Sequence, residues 1–185
     1  MCMYGMIHNG MREMVIDRLG EDEWRVIEGM INIGPPEMIG MTVYDDALTF
    51  CILGAIAGRL GQSVPECLRG FGRYWVSYAE RGSFRSIMQF TGSTIESFIG
   101  NLDRMHRAVA AAMPEASLPS FRVIEAQPGR LLVQYQSKRS GLEPFVCGLF
   151  EGLLARFELV GEVRLYTSGE GCAEFEIRHR SACAT

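Results

Sequence analysis

Apolar residues recur at helical spacing through the first two thirds of the chain and at alternate positions through most of the last third. Met6 to Leu19 carries Met11, Met14, Val15 and Leu19 on one helical face, and Gly20 can close that helix. Asp22 to Met30 predicts a second, short helix, and Gly34-Pro35-Pro36 breaks the chain after it. Asp45 to Leu60 reads as a third helix, with Asp45 or Asp46 at its start and Gly61 at its end. Ser63, with Glu66 three positions on and Pro65 in the first turn, is a capping box that opens a helix to about Glu80. A short helix follows around Phe84 to Phe90. Ser93 or Thr94 then caps one long helix running to about Met113.

Pro114 and Pro119 end the helical part, and the period changes to two. Phe121 to Gln127 and Leu131 to Ser137 predict strands around a Pro128-Gly129 turn. Pro144 to Phe157 returns to helical spacing through Phe145, Leu149 and Leu153. Val160 to Thr167 and Cys172 to His179 form a second hairpin, turning at residues 168–171. The expected fold class is α+β: a helical part, then a four-stranded antiparallel sheet with one inserted helix.

The chain has 185 residues, most simply one domain over 1–185, and 48% of them are hydrophobic, which excludes disorder. A net charge of −4 and a pI near 5.5 argue against a nucleic-acid partner. The longest apolar run, Ala47 to Gly58, falls short of the roughly 20 residues a membrane span needs, so no membrane insertion is expected. The first residues have no basic segment followed by an apolar block. Six cysteines without a CxxC pair fit a reducing, cytoplasmic setting. Cys51 and Cys147 lie in apolar runs and read as small core residues, and Cys172 with Cys183 is a weak candidate redox or metal pair.

Two features carry chemistry. Tyr135-Gln136-Ser137-Lys138-Arg139 sets Tyr, Ser and Arg at alternate positions of a strand end, hence on one face. An Arg fork flanked by two hydroxyls can hold a carboxylate or a phosphate, and a solvated strand face is the plain alternative. His106 sits mid-helix at the edge of the face made by Leu102, Met105, Val109 and Met113. A core histidine satisfied by a hydrogen bond is its plain reading. A phosphoacceptor role is unsupported because Arg107, not an acidic residue, follows it, and no GxSxG nucleophile accompanies it as a general base. As an axial iron ligand, His106 would complete what haem requires: an apolar slot, one imidazole, and donors for two carboxylate arms.

With these residues the chain resembles the H-NOX (haem nitric oxide/oxygen binding) domains, found as bacterial gas sensors and in soluble guanylate cyclase. The resemblance runs through Met3-Tyr4-Gly5-Met6-Ile7, Phe71-Gly72-Arg73-Tyr74-Trp75-Val76, Asn101 to His106, Pro119-Ser120-Phe121, and Tyr135-x-Ser137-x-Arg139-x-Gly141-Leu142-x-Pro144-Phe145. It implies haem b (iron protoporphyrin IX) with His106 as proximal ligand and Tyr135, Ser137 and Arg139 as a propionate clamp. It further implies that Pro119 presses on the macrocycle, that Ile7 and Leu149 are apolar contacts, and that Trp75 lies on the distal side. Oxygen-binding members carry a distal tyrosine; the matching position here is Phe145, or Pro144 if the alignment slips by one, and neither donates a hydrogen bond. The resemblance therefore implies a nitric oxide sensor that excludes O₂ and is not an enzyme. Its expected trigger is a weakened bond between iron and His106, and its expected target a separately encoded histidine kinase or cyclic-di-GMP enzyme. An O₂ sensor using the Trp75 N–H or the Tyr74 hydroxyl, and a cysteine- or metal-based redox module, remain as alternatives. A haem peroxidase ranks last for want of a distal acid–base group.

Overall fold

Local chemistry starts and stops the helices where the sequence signals them. A computed structural model of the chain describes residues 2–33, 39–169 and 171–182. Helix α1 (Gly5–Leu19) ends at Gly20, whose φ of +94° lies in the region that favours glycine, and α2 (Glu21–Ile31) follows at once. The Asp45 carboxylate accepts from the Ala47 N–H at 2.7 Å and caps α3 (Asp46–Leu60). Ser63 and Glu66 form the expected capping box of α4 (Val64–Arg81), and α5 (Arg85–Thr91) comes next. Two short strands, β1 (Cys2–Tyr4) and β2 (Val43–Asp45), pair antiparallel; neither was expected, since three residues show no readable alternation.

The single long helix expected up to Met113 is two. Thr94 caps α6 (Ile95–Gly100), and α7 (Leu102–Ala112) restarts after Asn101. Gly100-Asn101 is a poor helical pair, and the break re-aims the segment that carries His106. The second part comprises β3 (Ser120–Gln127), β4 (Arg130–Gln136), α8 (Glu143–Arg156), β5 (Leu159–Gly169) and β6 (Cys172–Ser181). The four strands form one antiparallel sheet in the order β3-β4-β6-β5. Strand β4 stops at Gln136, so Ser137 and Arg139 lie in the following loop and not on the strand face expected from their alternation. The Ser137 N–H bonds the Gly171 carbonyl at 3.0 Å. The Gly34-Pro35-Pro36 break, Glu170 of the last turn and Cys183 lie outside the described residues.

Two apolar cores result. One packs Met11, Met14, Trp24, Ile56 and Phe71 among α1 to α4. The other packs Phe98, Phe121, Phe150, Phe175 and Ile177 between α6, α8 and the inner sheet face. Each such side chain contributes about 1.5–3 kcal/mol when fully buried. Helices α4 and α8 join the two cores. Their backbones touch because a Cβ at Gly72 would overlap the Phe145 carbonyl and one at Gly148 would overlap the Arg69 carbonyl. Cys147 is buried as expected. Cys51 is exposed, because it falls on the outward face of α3 while Ile52 and Leu53 turn inward.

Candidate functional site

Between the two cores lies a cavity of about 230 Å³ whose walls are mostly carbon. Protein interiors rarely keep voids larger than a water molecule, so an apolar space of this size is built for a ligand. The residues expected to hold or contact a haem line it: Ile7, Trp75, His106, Pro119, Tyr135, Ser137, Arg139, Phe145 and Leu149. They come from α1, α4, α7, the loop after α7, β4 and its following loop, and α8.

Of the three histidines only His106 reaches the cavity. His8 is buried and bonds the Thr49 hydroxyl at 2.8 Å, and His179 lies 3.2 Å from Glu96. His106 Nδ1 is 2.8 Å from the Pro119 carbonyl oxygen. A carbonyl only accepts, so Nδ1 carries the proton and Nε2 keeps its lone pair. Burial lowers the imidazole's pKa, against smaller opposing effects of the Pro119 bond and the Asp103 carboxylate, and so favours the neutral ring. One turn earlier, Asp103 accepts from the Ser120 hydroxyl and the Phe121 N–H, both at 2.7 Å. Helix α7 is thus fastened to residues 119–121 at three points.

The polar end of the cavity holds the Tyr/Ser/Arg trio. Tyr135 is buried on β4, its ring 5.4 Å from that of Phe121. Burial raises its pKa, and a hydrogen bond with Ser137 pulls the other way. The Ser137 hydroxyl accepts from the Arg139 backbone N–H at 3.0 Å. Arg139 Nε donates to Asp46 Oδ2 at 3.0 Å and Nη1 to the Ser117 carbonyl at 2.8 Å. Asp46 was read only as the start of a helix. No spacing rule pairs positions 93 residues apart, so its contact with Arg139 had no signal in the sequence.

Helices α1, α4 and α8 form an apolar wall. The Phe145 ring lies 5.4 Å from Phe71, and Phe71 lies 5.9 Å from Trp75. Trp75 packs over Gly10 of α1. Among the described lining residues of these three helices, Trp75 alone has a side-chain N–H or O–H. Tyr74 does not line the cavity: its hydroxyl donates to Asp17 at 2.6 Å on the outer surface, and burial, followed by Asp17, pushes its pKa up to about 12. That removes it from the candidate donors.

An apolar slot, a neutral imidazole with its Nε2 lone pair available, and an Arg with two hydroxyls fit the donor set of a haem with two carboxylate arms. A metal held by protein groups alone is less well served. Among the described residues no three His, Cys, Asp or Glu side chains group to hold an ion. Cys67 and Cys147 are buried, and burial pushes their thiols up, Cys67 to about 11, which makes them poor nucleophiles.

Residues 4–165 match the family model for haem-NO-binding domains. The chain is 28% identical over 158 residues to soluble guanylate cyclase gcy-35 of Caenorhabditis elegans, covering 83% of this chain and 23% of that protein. It therefore spans about a quarter of the length of such relatives. The H-NOX protein of S. oneidensis in the Fe(II)NO ligation state superposes with a TM-score of 0.83 at 21% identity, covering 97% of this chain and 100% of that one. The Fe(II) unliganded H-NOX protein from K. algicida gives 0.79 at 20% identity, covering 99% and 100%. These likenesses show the fold. Among the described residues no single helix is long and apolar enough to cross a membrane.

Proposed function

The chain belongs to the haem-NO-binding (H-NOX) family, whose domains are haem-binding gas sensors, and from that premise we propose that it senses nitric oxide, excludes O₂, and signals by contact with a separate protein. The observation that carries this reading is the apolar wall of Phe71, Phe145 and Leu149, which offers no hydroxyl to a bound gas. Haem b, if bound here, would supply a ferrous iron able to take a diatomic gas.

The residues of the chain do the rest. His106 would hold the iron through Nε2, its tautomer and direction fixed by Pro119. Tyr135, Ser137 and Arg139 would donate to the two carboxylate arms, which would compete with Asp46 for the guanidinium. Pro119, Ile7 and Leu149 line the apolar slot that would take the macrocycle. Selecting O₂ would call for a hydrogen-bond donor beside the gas. Phe145 withholds one, whereas nitric oxide needs none. Because α7 is fastened to residues 119–121, a change at His106 moves Pro119 and the start of β3 with it. The domain is a cytoplasmic binding module and not a catalyst; a histidine kinase or a cyclic-di-GMP enzyme is its target.

Absorption spectra of the purified ferrous protein under nitrogen, in air and with nitric oxide test this reading. The spectrum changes with nitric oxide and stays unchanged on brief exposure to air. A stable shift in air would establish the O₂ reading, with the Trp75 N–H as the donor. A protein that stays colourless after addition of hemin would remove both.

A further inference from the structure

The outer surface of α5 and α7 combines an uncovered aromatic ring with arginines that have no ion-pair partner among the described residues. Ile87 and Met88 of α5 and Met105, His106 and Val109 of α7 face the cavity. The Asn101 side chain donates to the Thr91 carbonyl at 2.9 Å and seats the end of α5 against the start of α7. Outside, Phe90 is 82% exposed, the most exposed large apolar side chain among the described residues. Arg104 and Arg107 are exposed and three positions apart, so they share one side of α7, while Arg85 is exposed on α5.

None of these three arginines has an ion pair among the described residues, although most other arginines do and the chain is net negative. Asp103, the acidic residue of α7, is engaged elsewhere, by the Ser120 hydroxyl and the Phe121 N–H. Aromatic and arginine side chains are what binding hot spots are rich in, and the Asn101–Thr91 bond brings the two helices that expose them together. A net charge of −4 disfavours an anionic membrane as the occupant.

We propose that the α5–α7 face, centred on Phe90, Arg104 and Arg107, docks an acidic segment of the signalling partner that brings an apolar pocket or side chain to Phe90. The inference rests on the reading of the domain as a sensor that acts by contact. Since α7 presents His106 inward and these arginines outward, a shift of the helix reshapes the face.

Fluorescence anisotropy with a labelled amphipathic peptide, glutamate on one helical side and leucine on the other, tests it on the haem-loaded protein. The peptide binds, and binding weakens as salt is added. Phe90→Ser and the double variant Arg104→Glu/Arg107→Glu each weaken it about tenfold, as truncation of a hot spot does. A lysine version of the peptide does not bind. Equal binding of the lysine peptide, or undiminished binding by the variants, would overturn the proposal; so would capture by phosphatidylserine vesicles in place of the peptide. The same variants keep the nitric-oxide-dependent spectrum, so failure of the face and failure of the sensing site are read separately.

Discussion

His106 donates from Nδ1 to the carbonyl of Pro119 at 2.8 Å, joining the helix that carries the imidazole to the proline that walls the cavity. The bond fixes which ring nitrogen keeps its lone pair, the one that the proposed reading gives to iron. His106→Gly removes both the proposed ligand and this link. The variant is expected to lose haem on purification and to regain a ferrous spectrum when imidazole is added, since an apolar slot remains. A His106→Gly protein that holds haem without imidazole would place the ligand elsewhere.

Asp103 holds the same junction one turn away, and Asp103→Ala leaves the Phe121 N–H and the Ser120 hydroxyl without their acceptor. The expected loss is about 1–3 kcal/mol, read as a lower midpoint in urea or heat. Asp103→Asn retains an acceptor and loses less. An unchanged midpoint for Asp103→Ala would mean that α7 is held by other contacts.

Arg139 and Asp46 are both poorly exposed, at 9% and 15% of their side chains. Arg139→Ala strands the Asp46 carboxylate and is expected to cost about 3 kcal/mol, together with weaker haem retention. Asp46→Asn lowers stability too, yet retains haem at least as well, because the guanidinium is released to the carboxylate arms. Thermal melts of the haem-free protein, paired with haem transfer to a scavenger globin, separate the two effects. Equal haem loss from both variants would refute the competition.

The trio at 135, 137 and 139 was legible as chemistry but not as geometry. The alternating pattern predicts one strand face, whereas β4 ends at Gln136 and a loop held to Gly171 brings Ser137 and Arg139 round to the cavity. The capping signals at Asp45 and Ser63 were readable because a cap acts over three residues. The break at Asn101 was not, because the apolar face continues across it and only the weak pair Gly100-Asn101 marks it. The α8 pattern revealed Phe145, Leu149 and Leu153, but the glycines between them matter as much, and close approach of a second helix leaves no mark on hydrophobic spacing. Asp46 was invisible for the same reason: its partner is distant in sequence.

Gly148→Ala therefore tests a feature that spacing hides. A methyl there meets the Arg69 carbonyl, with backbone on both sides and no flexible side chain to yield. The expected destabilisation is about 1–3 kcal/mol, as for other overpacked sites, against near neutrality for Gly54→Ala on the open face of α3. Denaturant midpoints measure both. Tolerance of Gly148→Ala would show that the two helices can separate.

Acid should loosen the same crossing. Glu151 of α8 takes hydrogen bonds from Arg69 and from Arg73, the latter at 2.6 Å. Burial alone would raise its pKa, but the two arginines outweigh burial and hold it below the ordinary value of 4.5. A carboxyl depressed on folding contributes stability that is full above that ordinary value and is lost as pH falls through the lower, folded one. Stability is expected to fall by roughly 1 kcal/mol across that window, and Glu151→Gln should flatten the fall. A wild-type slope kept by the variant would assign the acid sensitivity to other groups.

Because glycines let α4 and α8 meet backbone to backbone, the wall that carries Phe71, Trp75, Phe145 and Leu149 has no cushion of side chains in which to give. It serves as a stator. On the proposed reading, strain arising in the cavity would fall on the opposite bank, where α7 runs from Asn101 to the loop that ends at Pro119, and one helix would turn against a fixed frame.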